Sequence, residues 1–301
     1  MLVMLLALLA SGTRLRVAEA IGLGALERWR PAVNGQRVLR RGLALDVAYS
    51  YLVPVIVYPA VYGVILLLRQ THGIRGPLGQ LDFTAQVVLA VVVGDVVAYW
   101  KHRLLHTRLL WPFHAAHHSS VEVDWWSNER VHPVEAAINA TLQALTLVLL
   151  GFAPTAIGLA VAIRQAYSAF THANVRLSFG RLGWLFVSPH HHRWHHSDDP
   201  VMTGRNFANM LAVLDVLGGT RMVPEAPPES FGIRGAAPAK GFIGQIVAPF
   251  VDIVTRPANR IVPTSAVLVE DANFREPTEP PLQSSIPAPG LPARQHSLAS
   301  R

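Results

Sequence analysis

Three long apolar stretches organise the chain. Val47–Leu68 runs for 22 residues without a charge, enough to cross a bilayer as a helix despite Pro54 and Pro59. Phe83–Trp100 is a second run, broken only by Asp95, and it leads straight to His102. Ala136–Ile163 stays uncharged for 28 residues, with Gly151 and Pro154 in the middle. It reads as one long span or as a hairpin of two shorter helices, the second continuing to about Phe170. His132 precedes this stretch and His172 follows it, so a single span would set His172 across the membrane from His118. A hairpin turning at Gly151–Pro154 keeps the histidines together. The expectation is an all-α integral-membrane bundle of about four spans, the last two a hairpin, capped by short helices.

Polar and proline-rich stretches flank this core. Residues 1–43 form a basic, interfacial segment, 44–222 the membrane-embedded catalytic domain, and 223–301 a Pro-rich extension holding 13 of the 22 prolines. Within the extension Gly241–Val254 carries apolar pairs suited to an interfacial helix, and a flexible tail is expected after about residue 263. The opening MLVMLLALLA is too short to span and has neither a basic lead nor a clear cleavage site. That argues against a signal peptide and leaves an interfacial anchor or a mis-assigned start.

Charge sets the orientation. Residues 13–46 carry seven arginines, whereas the loop 69–82 carries only Arg69 and Arg75, which places the segment before Val47 and the histidine clusters after Trp100 on the cytoplasmic side. Only 15% of residues are charged and 51% are hydrophobic, against about 25% charged in a usual soluble domain. The net charge of +7 is spread along the flanks of apolar segments, which suits an anionic membrane surface and not nucleic acid. There is no cysteine, so disulfides, thiolate metal sites and iron–sulfur clusters are excluded.

Twelve of the 14 histidines lie between His102 and His196, eight of them in three clusters: His102 and His106; His114, His117 and His118; His192, His195 and His196. Residues three or four apart share a helix face, so each cluster is expected to aim its imidazoles at a common spot. Imidazole is the commonest metal ligand, and eight are too many for one ion, so two metals are implied. Pro112 and Pro189 can start the helices that carry the second and third clusters, with Ser188 as a cap. His132 and His172 are further candidate ligands, while His190 and His191 fall outside the spacing. Glu129 and His132 make a single Glu-x2-His, without the second copy that carboxylate di-iron bundles use. Asp95, two turns before His102, is expected to receive an N–H from a ligand histidine. Arg164, Asn174 and Asn206 are weaker supporting candidates, and Asp198 and Asp199 read equally well as turn residues.

The order and spacing of DVVAYWKHRLLH, WPFHAAHHSSVEVDWW, RVHPVE, THANVRLSFG and SPHHHRWHHS, followed by NFANMLAVLDVLGGT, resemble the fatty acid hydroxylase / sterol desaturase superfamily over roughly residues 92–221. The nearest likeness is to bacterial members loosely called sterol desaturases. The resemblance implies a membrane-bound, O2-dependent enzyme with two irons (zinc in some preparations) that hydroxylates or desaturates a lipid. The matching ligand positions are His102, His106, His114, His117, His118, His172, His192, His195 and His196, with His132 as the candidate tenth. It also implies a bacterial inner membrane and an external electron donor of ferredoxin, cytochrome or flavin-reductase type. The chain itself has neither cysteine nor a Gly-x-Gly-x2-Gly nucleotide loop. Tyr99, Trp125 and Trp126 read as the mouth of a lipid passage or as an interfacial aromatic belt. The rival readings are a membrane metal transporter or sensor, which would line a path through the bilayer with polar groups, and a catalytically silent lipid-binding relative.

Overall fold

Apolar runs of this length and the prolines at helix starts dictate an all-helical chain, and a computed structural model shows one. It describes residues 2–72, 76–235 and 239–255. The expected flexible tail after about residue 263 lies outside the described residues. α1 (Leu2–Trp29) is followed by α2 (Leu43–His72), which runs through both Pro54 and Pro59, and α3 (Phe83–Leu105), capped by Asp82 accepting the Ala85 N–H. Leu43–Ile65 and Phe83–Leu105 are the two stretches among the described residues long and apolar enough to cross a membrane.

α5 (Pro133–Leu149) and α6 (Pro154–His172) form the hairpin at the expected turn. At 17 and 19 residues each falls short of a roughly 30 Å hydrocarbon core. The bundle therefore combines two helices of spanning length with a shorter hairpin, α5 against α2 and α3, α6 against α3. Gly151 sits at φ +86°, and a Cβ there would lie 2.2 Å from the Gly76 nitrogen, so the turn and the loop before α3 meet backbone to backbone. Gln86 of α3 accepts the Ala153 N–H, and Ala90, Ala144, Leu147, Phe152 and Ala160 fill the space between.

The polar end of the bundle is assembled from short pieces. α4 (Trp111–His118) and α7 (Pro189–His195) start at Pro112 and Pro189, and Ser188 caps α7 by accepting the His191 N–H. α8 (Val213–Leu217) follows. A buried network braces the loops: Arg40 pairs with Asp46 and Asp124, and Arg130 pairs with Asp46 and donates to the Ser119 hydroxyl directly after α4. α9 (Gly241–Thr255) takes up the expected apolar segment, but it does more than rest on an interface. Tyr49 donates to Gln245, and Phe250 packs on Phe113, so α9 is docked onto α2 and α4 while Ile243, Val251 and Val254 stay exposed.

Candidate metal centre

Nine histidines from α3, α4, α6 and α7 converge at the polar end of the bundle as two groups. His102, His106, His114, His118 and His195 form one group; His117, His172, His192 and His196 form the other. Within each group the candidate ligand nitrogens lie within 4.8 Å of one another. The clusters do not each serve one spot, which corrects the expectation from spacing. At about 100° per residue, His-x2-His-His fans its rings across a wide arc. α4 gives His114 and His118 to the first group and His117 to the second; α7 reverses this, giving His192 and His196 to the second and His195 to the first. The duplicated motif straddles the gap between the two centres.

The spacing of the nitrogens fits that of ligands around a metal ion. The Nε2 atoms of His172, His192 and His196 are 3.1–3.2 Å apart, and His117 Nε2 is 3.2 Å from that of His172. Nitrogens each about 2.0–2.1 Å from one ion, at right to tetrahedral angles, are separated by about 2.9–3.4 Å. In the first group the Nε2 atoms of His102 and His114 are 3.2 Å apart, and those of His106, His118 and His195 are buried without any hydrogen-bond partner. Seven of the nine rings are buried. Burial, then the neighbouring imidazoles, hold His106, His117, His118, His192 and His196 well below the ordinary imidazole range, and burial pushes His195 down to about 3. At neutral pH these rings keep their lone pairs, as a cation requires. This all-imidazole donor set fits Fe or Zn.

Groups behind the rings fix their tautomers. The Nδ1–H of His102 donates to the Phe207 carbonyl, that of His195 to Arg205 and that of His172 to Ser168, each at 2.8 Å, leaving Nε2 free to bind. His114 Nδ1 instead faces a carboxylate, Glu135 Oε2, at 2.9 Å. Phe207 lies against His102, His106 and His195, and Trp111 against His106 and His118, so aromatic rings shield the first group. A cleft of about 40 Å³ opens onto His106, His118 and His195 between Asp199, Thr203 and Arg234.

Several expected residues stand elsewhere. His132 does not join either group: its Nδ1 caps α5 by accepting the Val134 N–H, and its Nε2–H donates to the Ile246 carbonyl of α9. Pro133 holds it at the helix start, facing away from the centres. Asp95 touches no histidine. It accepts N–H groups of Met210 and Leu211 and pairs with Arg164 at 3.8 Å, and Arg164 also donates to Gln143. Asn174 binds the backbone of Val33, fastening the segment after α1. Asn206, at φ +59°, is pinned to Met222 between the two carbonyls that hold His195 and His102. Asp95 and Asn206 thus act on the histidines through the backbone of Arg205–Leu211. Asp198 accepts from Ser230, and Asp199 caps the short turn after it. His190 donates to the Pro224 carbonyl and His191 pairs with Asp215, both outside the two groups. Tyr99 and Trp125 are buried, so neither stands at an open mouth.

Sequence reasoning missed Glu135 and Asp215. Asp215 accepts from the N–H groups of Phe207 and Ala208 and from Thr220, and so shapes the same ligand-holding segment. Glu135 follows His132 by three residues, and only the fold shows which of the two faces the site.

Residues 87–220, which contain every member of both groups, match the family model described as fatty acid hydroxylase. Over this region the chain is similar to the fatty acid hydroxylase family. Similarity extends to the ornithine lipid hydroxylase OlsE of Rhizobium tropici, 37% identical over 174 residues, 57% of this chain and 52% of that protein. The alkylglycerol monooxygenase of Xenopus tropicalis is 27% identical over 142 residues, 46% of this chain and 31% of that protein. That of Danio rerio is 29% identical over 146 residues, 48% and 32% of the two chains. The chain thus spans about half the length of the first of these relatives and about a third of the others. No solved structure matches it.

Proposed function

We propose that this chain is a membrane-bound lipid hydroxylase whose two histidine groups each hold one iron. The observation that carries the reading is the convergence of nine imidazoles, seven of them buried, from four helices into two candidate ligand sets at the end of α3, inside the region that matches the family. The relatives are named for hydroxylating an ornithine lipid and oxygenating an alkylglycerol, which supports a polar lipid as substrate. Bound irons would supply activation of O2 and attack on an unactivated C–H bond. One oxygen atom enters that bond, and the other leaves as water, with two electrons and two protons consumed.

The residues of the chain prepare that chemistry. The carbonyls of Ser168, Arg205 and Phe207 and the carboxylate of Glu135 orient four of the rings, while Phe207 and Trp111 pack against others of the first group. Both groups sit at the end of α3 that the arginine distribution assigns to the cytoplasm, where an external electron donor could reach them. If a second hydrogen abstraction, from the adjacent carbon, replaced oxygen insertion, an alkene would form and both oxygen atoms would leave as water for the same two electrons and two protons, so desaturation is a second outcome of the same site. Anaerobic loading of the purified full chain with iron, metal analysis and O2 uptake with a host lipid extract test the reading. About two irons per chain and a lipid product gaining one oxygen atom support it; a lipid pool unchanged by the iron-loaded, reduced protein refutes it.

A further inference from the structure

The two groups are not equivalent, and the difference lies behind the rings. In the first group three Nδ1 atoms have protein acceptors, and one of these is charged: Glu135 at 2.9 Å from His114. In the second group only His172 has an acceptor, a neutral carbonyl, and the Nδ1 atoms of His117, His192 and His196 are buried without one. Among the described residues His114 is the sole candidate ligand bonded to a carboxylate. Glu135 is itself 3% exposed and projects from the first turn of α5. Its other oxygen is 4.0 Å from the Lys101 ammonium, beside His102. A carboxylate behind an imidazole locks the Nδ1–H tautomer, makes Nε2 a stronger donor, and adds negative charge near a divalent cation.

We infer that the first group binds metal more tightly than the second and that Glu135 is the positioning residue that sets this order. The inference rests on the reading that both groups hold metal. It assigns Glu135 to His114, with Lys101 a secondary neighbour.

The test is a cobalt(II) titration of the metal-free, detergent-solubilised full chain, read by visible absorption and equilibrium dialysis. The wild-type protein should show two separable binding steps. Glu135→Gln keeps a hydrogen-bond acceptor but removes the charge, so it should weaken the tighter step by roughly 10–100-fold and leave the weaker step in place. The retained weaker step then reports that the fold survives. Glu135→Asp should recover part of the loss, and Lys101→Met should leave both steps within about twofold. The inference is overturned if Glu135→Gln changes neither step, abolishes both together, or is matched by Lys101→Met, since Glu135 would then serve the fold or the lysine. Absence of cobalt binding by the wild-type chain would instead overturn the metal reading itself.

Discussion

Four of the nine imidazoles, those of His102, His114, His172 and His195, are set by a partner on the far side of the ring. Carbonyls of Ser168, Arg205 and Phe207 select the tautomer of His172, His195 and His102. Because the two groups share no histidine, their losses should separate. His117→Ala and His195→Ala should each lower bound metal by about one ion per chain, measured by elemental analysis, and the double variant should bind almost none. Protons compete with the same lone pairs. His195 is held at about 3, against an ordinary value of 6.5, so below pH 6.5 the unfolded chain takes up a proton that the folded one refuses. Stability of the metal-free protein is thus full above pH 6.5 and is lost as the pH falls toward 3. Its thermal midpoint in detergent should drop between pH 7 and 5, and a flat profile there would contradict the burial described.

Among the elements, the hairpin and the short helices were legible because backbone chemistry marks them. Gly151 and Pro154 announce the turn, Pro112 starts α4, and Ser188 with Pro189 starts α7. Gly151→Ala should destabilise the fold by about 1 kcal/mol or more, since a Cβ meets the Gly76 backbone and φ is positive. Unfolding in detergent and loss of bound metal would both report it. The Arg40–Asp46–Arg130 network was not legible, because it joins residues up to 84 apart whose charges read singly as surface groups. Arg40→Met leaves Asp124 without its buried cation and Asp46 with Arg130 alone, and should cost roughly 3–5 kcal/mol. Likewise, spacing placed histidines on helix faces but could not show that one motif would divide between two centres. That division depends on where α4 and α7 stand relative to each other. His132 misled for a related reason: its neighbour Pro133 fixes it as a helix cap, and Glu135, one turn on, reaches the site in its place.

At the scale of the whole molecule, two helices long and apolar enough to cross a membrane and a shorter hairpin carry the histidine-lined polar end. The chain has no cysteine, so single introduced cysteines can map its orientation without background. Leu39→Cys and Leu217→Cys, both at highly exposed positions, should react with an impermeant thiol reagent from the cytoplasmic side, and Leu81→Cys from the opposite side. Labelling of all three from one side would contradict the topology. The central claim is that two separate imidazole sets each hold one iron and together oxidise a lipid C–H bond. The most direct measurement combines iron analysis of the anaerobically reconstituted chain with mass spectrometry of co-purified lipid after admission of 18O-labelled O2. The account predicts about two irons per chain, and lipid carrying one labelled oxygen in the wild type but not in His117→Ala or His195→Ala. A labelled product that persists in both variants, or a wild-type chain that binds two irons yet leaves every lipid unlabelled, would contradict it.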